Sequence, residues 1–295
     1  MSDGELFPQG RGPTPRLWLI GGTSEAVTLA ETLVRLGVPC LVTVTTAAAR
    51  RAYSKRLGLT VRVGALATDT LGDFIQAQRI GAILDASHPF AVEISQGAMA
   101  QAVDLKLPYW RYERPLSQDA ISEPSDPTPL ECTSSEDRTR SWRPLWVPNL
   151  EAALTAEVLA QQRVLLTLGY RWLSAFLPWQ DRATLFARIL PSPVALDAAL
   201  AAGFIPERLI ALRPPIGEAL EQALWQQWGI TTVITKASGQ PGGEDTKRRV
   251  AERLGVSLVV IERPRLVYPA VSHSLEEMVA WCGQWWQGQK RRATL

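Results

Sequence analysis

Three cysteines, three methionines and two histidines in 295 residues leave little material for metal or disulfide chemistry. Cys40, Cys132 and Cys282 lie far apart without CxxC spacing, so neither a zinc site nor a disulfide framework is indicated, and a reducing cytoplasm is the expected home. A dominant charge is missing too. The 31 basic residues face 29 acidic ones, a net charge of +2 that argues against nucleic acid or an anionic membrane as main partner. No run approaches the roughly 20 apolar residues of a membrane span, and residues 1–15, polar with Gly and Pro, have no apolar leader core and are expected to form a loose tail. What is present, 46% hydrophobic and 20% charged residues, describes a soluble chain long enough for two compact domains.

Short apolar runs alternate with longer amphipathic segments, the pattern of βαβ units. Residues 17–20 read as a strand, 21–24 as a tight turn, and 25–36 as a helix with Val27, Leu29, Leu33 and Leu36 on its apolar face. Strands are expected over 40–46, 61–63, 82–86 and 109–112, with helices over 70–78 and 94–105. Ser, Asp, Pro, Glu and Thr then dominate 116–143, which reads as a flexible linker. The alternation resumes with helices over 150–160, 172–177, 194–202, 218–228, 244–254 and from 275, and strands over 164–168, 184–189, 209–212, 232–236 and 258–262. The expected fold is α/β: two Rossmann-like lobes, over 16–115 and 144–295, with parallel sheets facing a shared cleft and ligands at the strands' carboxyl ends.

The chemistry should therefore sit in strand-to-helix loops. Gly21 and Gly22 would let the backbone approach a phosphate, with Thr23, Ser24, Glu25 and the first helical amides at a positive helix end; the same residues would also make a capped turn without a ligand. The next strand ends at Thr46, Arg50 and Arg51, where NAD-specific domains often carry a ribose-binding acid; hydroxyls and arginines suit a 2′-phosphate, favouring NADPH over NADH. The run Asp85-Ala86-Ser87-His88-Pro89 closes a buried-strand pattern with an acid, a hydroxyl and an imidazole. His88 is the candidate proton donor, with Asp85 orienting it or a bound group; the competing reading is a turn in which Ser87 caps the helix and Pro89 begins it. Lys236, the third candidate catalytic residue, leaves a strand into a loop with Ser238, Gly239, Gly242 and Gly243, suited to phosphate or carboxylate. It is not a Walker A loop, because the lysine precedes the glycines. Gly169 and Arg171 form a weaker analogous turn, with Arg171 available to an anionic substrate. No tyrosine has a lysine four residues on, which demotes a short-chain-type carbonyl reductase.

Five segments carry a family resemblance: LIGGTSEA at 19–26, DASHPFA at 85–91, YWRYERP at 109–115, LLTLGYR at 165–171 and TKASGQPGG at 235–243. On these the sequence resembles the precorrin-6A reductase family, including its cobalt-precorrin-6A counterpart. The resemblance implies hydride transfer from NADPH to one carbon of a corrin precursor and a proton to its neighbour, without flavin or metal. Ser87 joins the implied cofactor contacts, while Arg111, Arg114, Gly169 and Arg171 are the candidate contacts to the tetrapyrrole's carboxylates. Val27, Ala237 and the loop over 213–218 depart from the family pattern. A non-catalytic NADPH-binding sensor is the alternative, and the oligomeric state, monomer or homodimer, stays open.

Overall fold

The computed structural model describes residues 14–53, 59–115 and 142–292. The tail expected over 1–15 falls outside these up to residue 13, and the expected linker falls outside them over 116–141. In chain order the first half holds β1 (Arg16–Ile20), α1 (Ser24–Arg35), β2 (Cys40–Val44), α2 (Ala47–Arg50), β3 (Leu59–Val63), α3 (Leu71–Ala77), β4 (Ile80–Asp85), α4 (Val92–Asp104) and β5 (Tyr109–Tyr112). The second holds β6 (Leu145–Val147), α5 (Leu150–Ala153), α6 (Ala156–Leu159), β7 (Arg163–Leu166), β8 (Thr184–Ile189), α7 (Pro193–Ala201), β9 (Leu209–Ala211), α8 (Glu218–Gln227), β10 (Thr232–Lys236), α9 (Glu244–Leu254), β11 (Ser257–Ile261), β12 (Val271–Ser272) and α10 (Leu275–Arg292).

The strands form two six-stranded sheets, ordered β12-β5-β4-β1-β2-β3 and β6-β11-β10-β7-β8-β9, and the recorded pairings are all parallel. Parallel strands covered on both faces need apolar side chains at successive positions, and β1 shows why. Leu17 and Leu19 enter one core with Leu29 and Leu33 of α1, while Trp18 and Ile20 enter another with Leu71 and Phe74 of α3. Each such side chain contributes roughly 1.5–3 kcal/mol on burial.

The two sheets share one topology. In the first, the chain runs from β1 outward to β2 and β3, then returns to the other side of β1 for β4 and β5. In the second, β7, β8, β9, β10 and β11 repeat this path. The sixth strand of each comes from elsewhere: β6 pairs with β11, and β12, late in the chain, pairs with β5.

That last pairing corrects the expected second lobe of 144–295. The compact units are the residues up to Arg114 together with those from Arg265, and Pro115–Pro264. The closing segment returns to the first unit because Val271 and Ser272 register with Arg111 and Tyr112. Helix α10 then buries Met278, Cys282 and Trp286 in the core that holds Leu29 and Leu33. The single helix expected over 150–160 is broken at Thr155, whose hydroxyl accepts from Val158 N and so caps a new turn. Residues Tyr170–Trp179 form a 3-10 helix containing Pro178. Among the described residues no helix is long and apolar enough to cross a membrane.

Candidate active site

Strand order reverses between β1 and β4 in the first sheet and between β7 and β10 in the second, while the strands stay parallel. Such switch points open a crevice at the strands' carboxyl ends. In the first unit the turn after β1 requires glycine for two separate reasons. A Cβ on Gly21 would lie 2.5 Å from the Tyr53 hydroxyl, and Gly22 sits at φ +107°. Thr23 caps α1, accepting from Ala26 N at 3.2 Å, and donates to Ala86 O at 2.8 Å, which ties this turn to the loop after β4. Its side chain is therefore committed to structure. The cap leaves the Ser24 and Glu25 N–H groups as the helix's open donors. Glu25, an acid where an anion would dock, is neutralised by Arg114: Nε lies 2.9 Å from Oε1, and Nη2 donates to Oε2 at 2.9 Å. Arg114 thus balances the charge of this turn, a partner that its expected role as a substrate contact did not include.

The end of β4 is a closed polar network. Asp85 is fully buried; its Oδ1 accepts from Ser87 N and Arg111 Nη1, both at 2.9 Å, and its Oδ2 from Ser95 Oγ and Tyr109 Oη, both at 2.6 Å. Burial alone would push this carboxyl up, but the Arg111 guanidinium, then Ser95, Tyr109 and Ser87, outweigh it and hold it below the usual range. Burial and the Asp85 charge push the Tyr109 hydroxyl up, so it stays a donor. Arg111 also donates to Ser87 Oγ at 3.0 Å and to Glu113, and is 1% exposed. Asp85, Ser87 and Arg111 accordingly spend these polar atoms on one another beneath the loop, and the buried Ser87 and Arg111 are turned to Asp85 rather than to the cofactor and substrate expected of them. Their polar atoms face one another, not solvent.

His88 is exposed on the loop this network supports. Its Nδ1 accepts from Phe90 N at 3.2 Å, which places the proton of the neutral ring on Nε2. Pro89 does not begin the helix: residues 88–91 form a turn, with Ala91 N donating to His88 O at 2.8 Å, and α4 starts at Val92. After β2, Thr46 caps α2 by accepting from Ala49 N at 3.1 Å, and Arg50 and Arg51 stand exposed.

In the second unit, Gly169 at φ +79° turns the chain into the 3-10 helix carrying Arg171 and Trp172. Lys236, at the end of β10, places its Nζ 3.7 Å from the centre of the Trp172 ring. Burial and then the neighbouring Arg171 bring the Lys236 amine down to about 8. The glycine loop beyond it is closed on itself. Gly239 N donates to Glu244 Oε2 at 2.9 Å, Gly242 N to Gly239 O and Gly243 N to Gln240 O. These glycine amides are spent, so the expectation that they cradle a phosphate does not hold. Gly242 is needed because a Cβ there would fall 1.9 Å from Ser238 Oγ.

Residues 16–283 match the family described as precorrin-6x reductase CbiJ/CobK. The chain belongs to the precorrin-6x reductase family. It is 44% identical over 269 residues to the cobalt-precorrin-6A reductase of Synechocystis sp., covering 90% of this chain and 95% of that one. It is 30% identical over 279 residues to the precorrin-6A reductase of Rhodococcus erythropolis, covering 91% and 97%. Among solved structures, CobK precorrin-6A reductase superposes with a TM-score of 0.68 at 25% identity, covering 92% of this chain and 96% of that one.

Two residues that hold these turns carry no sequence motif. Tyr53 accepts from Gly22 N at 3.2 Å. Lys247, 2% exposed, donates to Gly242 O at 2.8 Å and Gly243 O at 3.1 Å, pinning the glycine loop from beneath. Burial and then Arg188 bring its amine down to about 8. A signal for Lys247 exists in the sequence: Glu244, Lys247, Arg248 and Ala251 share one helix face at i, i+3, i+4 and i+7, and all four are buried. Tyr53 carries no comparable periodic signal.

Proposed function

We propose that this chain reduces the precorrin-6A macrocycle, with or without cobalt, to its dihydro form, using NADPH in the cytoplasm. The observation that carries this reading is the 44% identity over 269 residues to the Synechocystis enzyme. The two switch points add chemical support. Exposed Gly22 and Ser24 at the positive end of α1 suit a pyrophosphate, and exposed Arg50 and Arg51 after β2 suit a 2′-phosphate. NADPH supplies the hydride when bound. The protein's own residues orient the reactants and move the proton.

Arg111 and Arg114 pair with carboxylates of this chain, and Lys236, against the Trp172 ring and near Arg171, offers the cationic pair we assign to the carboxylates of the macrocycle. His88 donates the proton from Nε2, and the Asp85–Arg111 network holds its loop in place. Cys40 and Cys282 are free buried thiols, in keeping with a reducing compartment.

The test mixes the protein with NADPH and precorrin-6A, and separately with cobalt-precorrin-6A, following nicotinamide absorbance and the corrinoid spectrum. NADPH oxidation with one ring is expected. Binding of NADPH without oxidation by either ring would replace the enzyme with a nucleotide sensor. In the same assay His88→Ala should lower turnover by about 10²-fold, toward the low end of general-acid contributions, while NADPH affinity holds. Unchanged turnover would remove His88 from the reaction.

A further inference from the structure

We propose that Tyr53 is a cofactor-binding residue whose hydroxyl donates to a phosphate oxygen of the dinucleotide at the Gly21-Gly22 turn. The inference rests on the NADPH reading above and assigns a contact that none of the family motifs contains.

The Tyr53 side chain is 6% exposed, and its hydroxyl ends at the turn. Gly22 N donates to Oη at 3.2 Å, and Gly21 lies so close that a Cβ would be 2.5 Å away. A buried tyrosine hydroxyl both accepts and donates. Here the accepting side is satisfied by Gly22, and among the described residues no acceptor meets the Oη proton. Burial pushes the hydroxyl's pKa up more than the Gly22 N–H lowers it, so the proton is retained at neutral pH. The hydroxyl lies at the start of a twelve-residue helix, where the field favours an anion. An anionic oxygen is the acceptor that completes it.

The connection to α2 strengthens the assignment. The turn runs on past the helix, with Arg50 N donating to Thr46 O at 3.2 Å and Tyr53 N to Arg50 O at 3.1 Å. One short segment thus carries the exposed Arg50 and Arg51 and, at its end, the Tyr53 hydroxyl. It offers cations for a 2′-phosphate and a neutral donor for the pyrophosphate, the two charged ends of the adenosine half of NADPH. The contacts are separable, because NADH keeps the pyrophosphate and lacks the 2′-phosphate.

Fluorescence titrations of NADPH and NADH against the full chain, Tyr53→Phe and Arg50→Ala/Arg51→Ala test it. Tyr53→Phe is expected to weaken both nucleotides by the same factor, about tenfold or more. The arginine variant is expected to weaken NADPH alone. Gly21→Ala provides a second variant: its methyl meets Oη at 2.5 Å, with Val42 Cγ1 at 3.0 Å and Thr43 O at 3.3 Å behind it, so it should cost more affinity in the native background than in Tyr53→Phe, where the tightest of the three contacts is gone. Tyr53→Phe binding both nucleotides as the native chain does, or Gly21→Ala costing the same in both backgrounds, would overturn the assignment to Tyr53. A native chain that binds neither nucleotide would instead overturn the dinucleotide reading, and Tyr53 with it.

Discussion

Asp85 ends β4 and Lys236 ends β10, each beside the switch point of its own sheet and each followed by an alanine and a serine. The two charges are treated in opposite ways. Asp85 is enclosed by an opposite charge, two hydroxyls and an amide, and both of its oxygens are occupied. Lys236 rests on an indole face beside a like charge, Arg171, and its ionised form is disfavoured there. A buried charge with a complete set of partners organises a loop, whereas a cation held beside another cation gains most when an anion arrives. The first switch point is thus a closed scaffold beneath the His88 loop, and the second is the one at which the proposal above places the macrocycle's carboxylates.

Deleting one charge from each site should separate the two most clearly. Arg111→Met leaves the Asp85 carboxylate buried without its counter-charge, and should cost about 3–5 kcal/mol in denaturant unfolding. The pH dependence follows from the lowered Asp85 value. A depressed carboxyl contributes stability that is complete above its unfolded value near pH 4 and is lost as pH falls through the folded value. Without Arg111 burial dominates, the carboxyl rises, and acid sensitivity should move toward neutral pH. Lys236→Met, by contrast, removes a charge that burial already disfavours. It should change stability by less than about 1 kcal/mol or raise it, while kcat/KM for the macrocycle falls roughly 10- to 100-fold. Equal stability losses at the two positions would erase the distinction.

The strands on which both sites stand were legible because burial on both faces leaves an apolar run, as in Cys40–Val44 and Thr232–Lys236. The loops were legible as well, since glycine pairs and polar residues interrupt those runs. What could not be read was the partner of each charge. Arg111 and Arg114 look like anion receptors in the sequence, yet Asp85 and Glu25 that neutralise them lie 26 and 89 residues away. The sixth strands were invisible for a related reason. Val271–Ser272 is too short to show a period and exists only through its pairing with β5. The same pairing decides which unit owns α10, so an error over two residues misplaced the last thirty-one, Arg265–Leu295.

The smallest expected effect tests the second site alone. Arg171 helps hold the Lys236 amine near 8 instead of the usual 10.5, so carboxylate recognition should weaken as pH rises through about 8 and kcat/KM should fall on that limb. Arg171→Gln removes the like charge and should move the limb upward, by less than the shift that burial imposes, apart from any few-fold loss from Arg171's own contact with the substrate. Stability carries the matching sign. Because the folded-state value lies below the unfolded one, the unfolded chain binds more protons between about 8 and 10.5, and stability should rise with pH across that window. Arg171→Gln should flatten the rise. A limb that stays fixed while the level of kcat/KM drops would make Arg171 a contact only, and would leave Lys236 set by burial against Trp172.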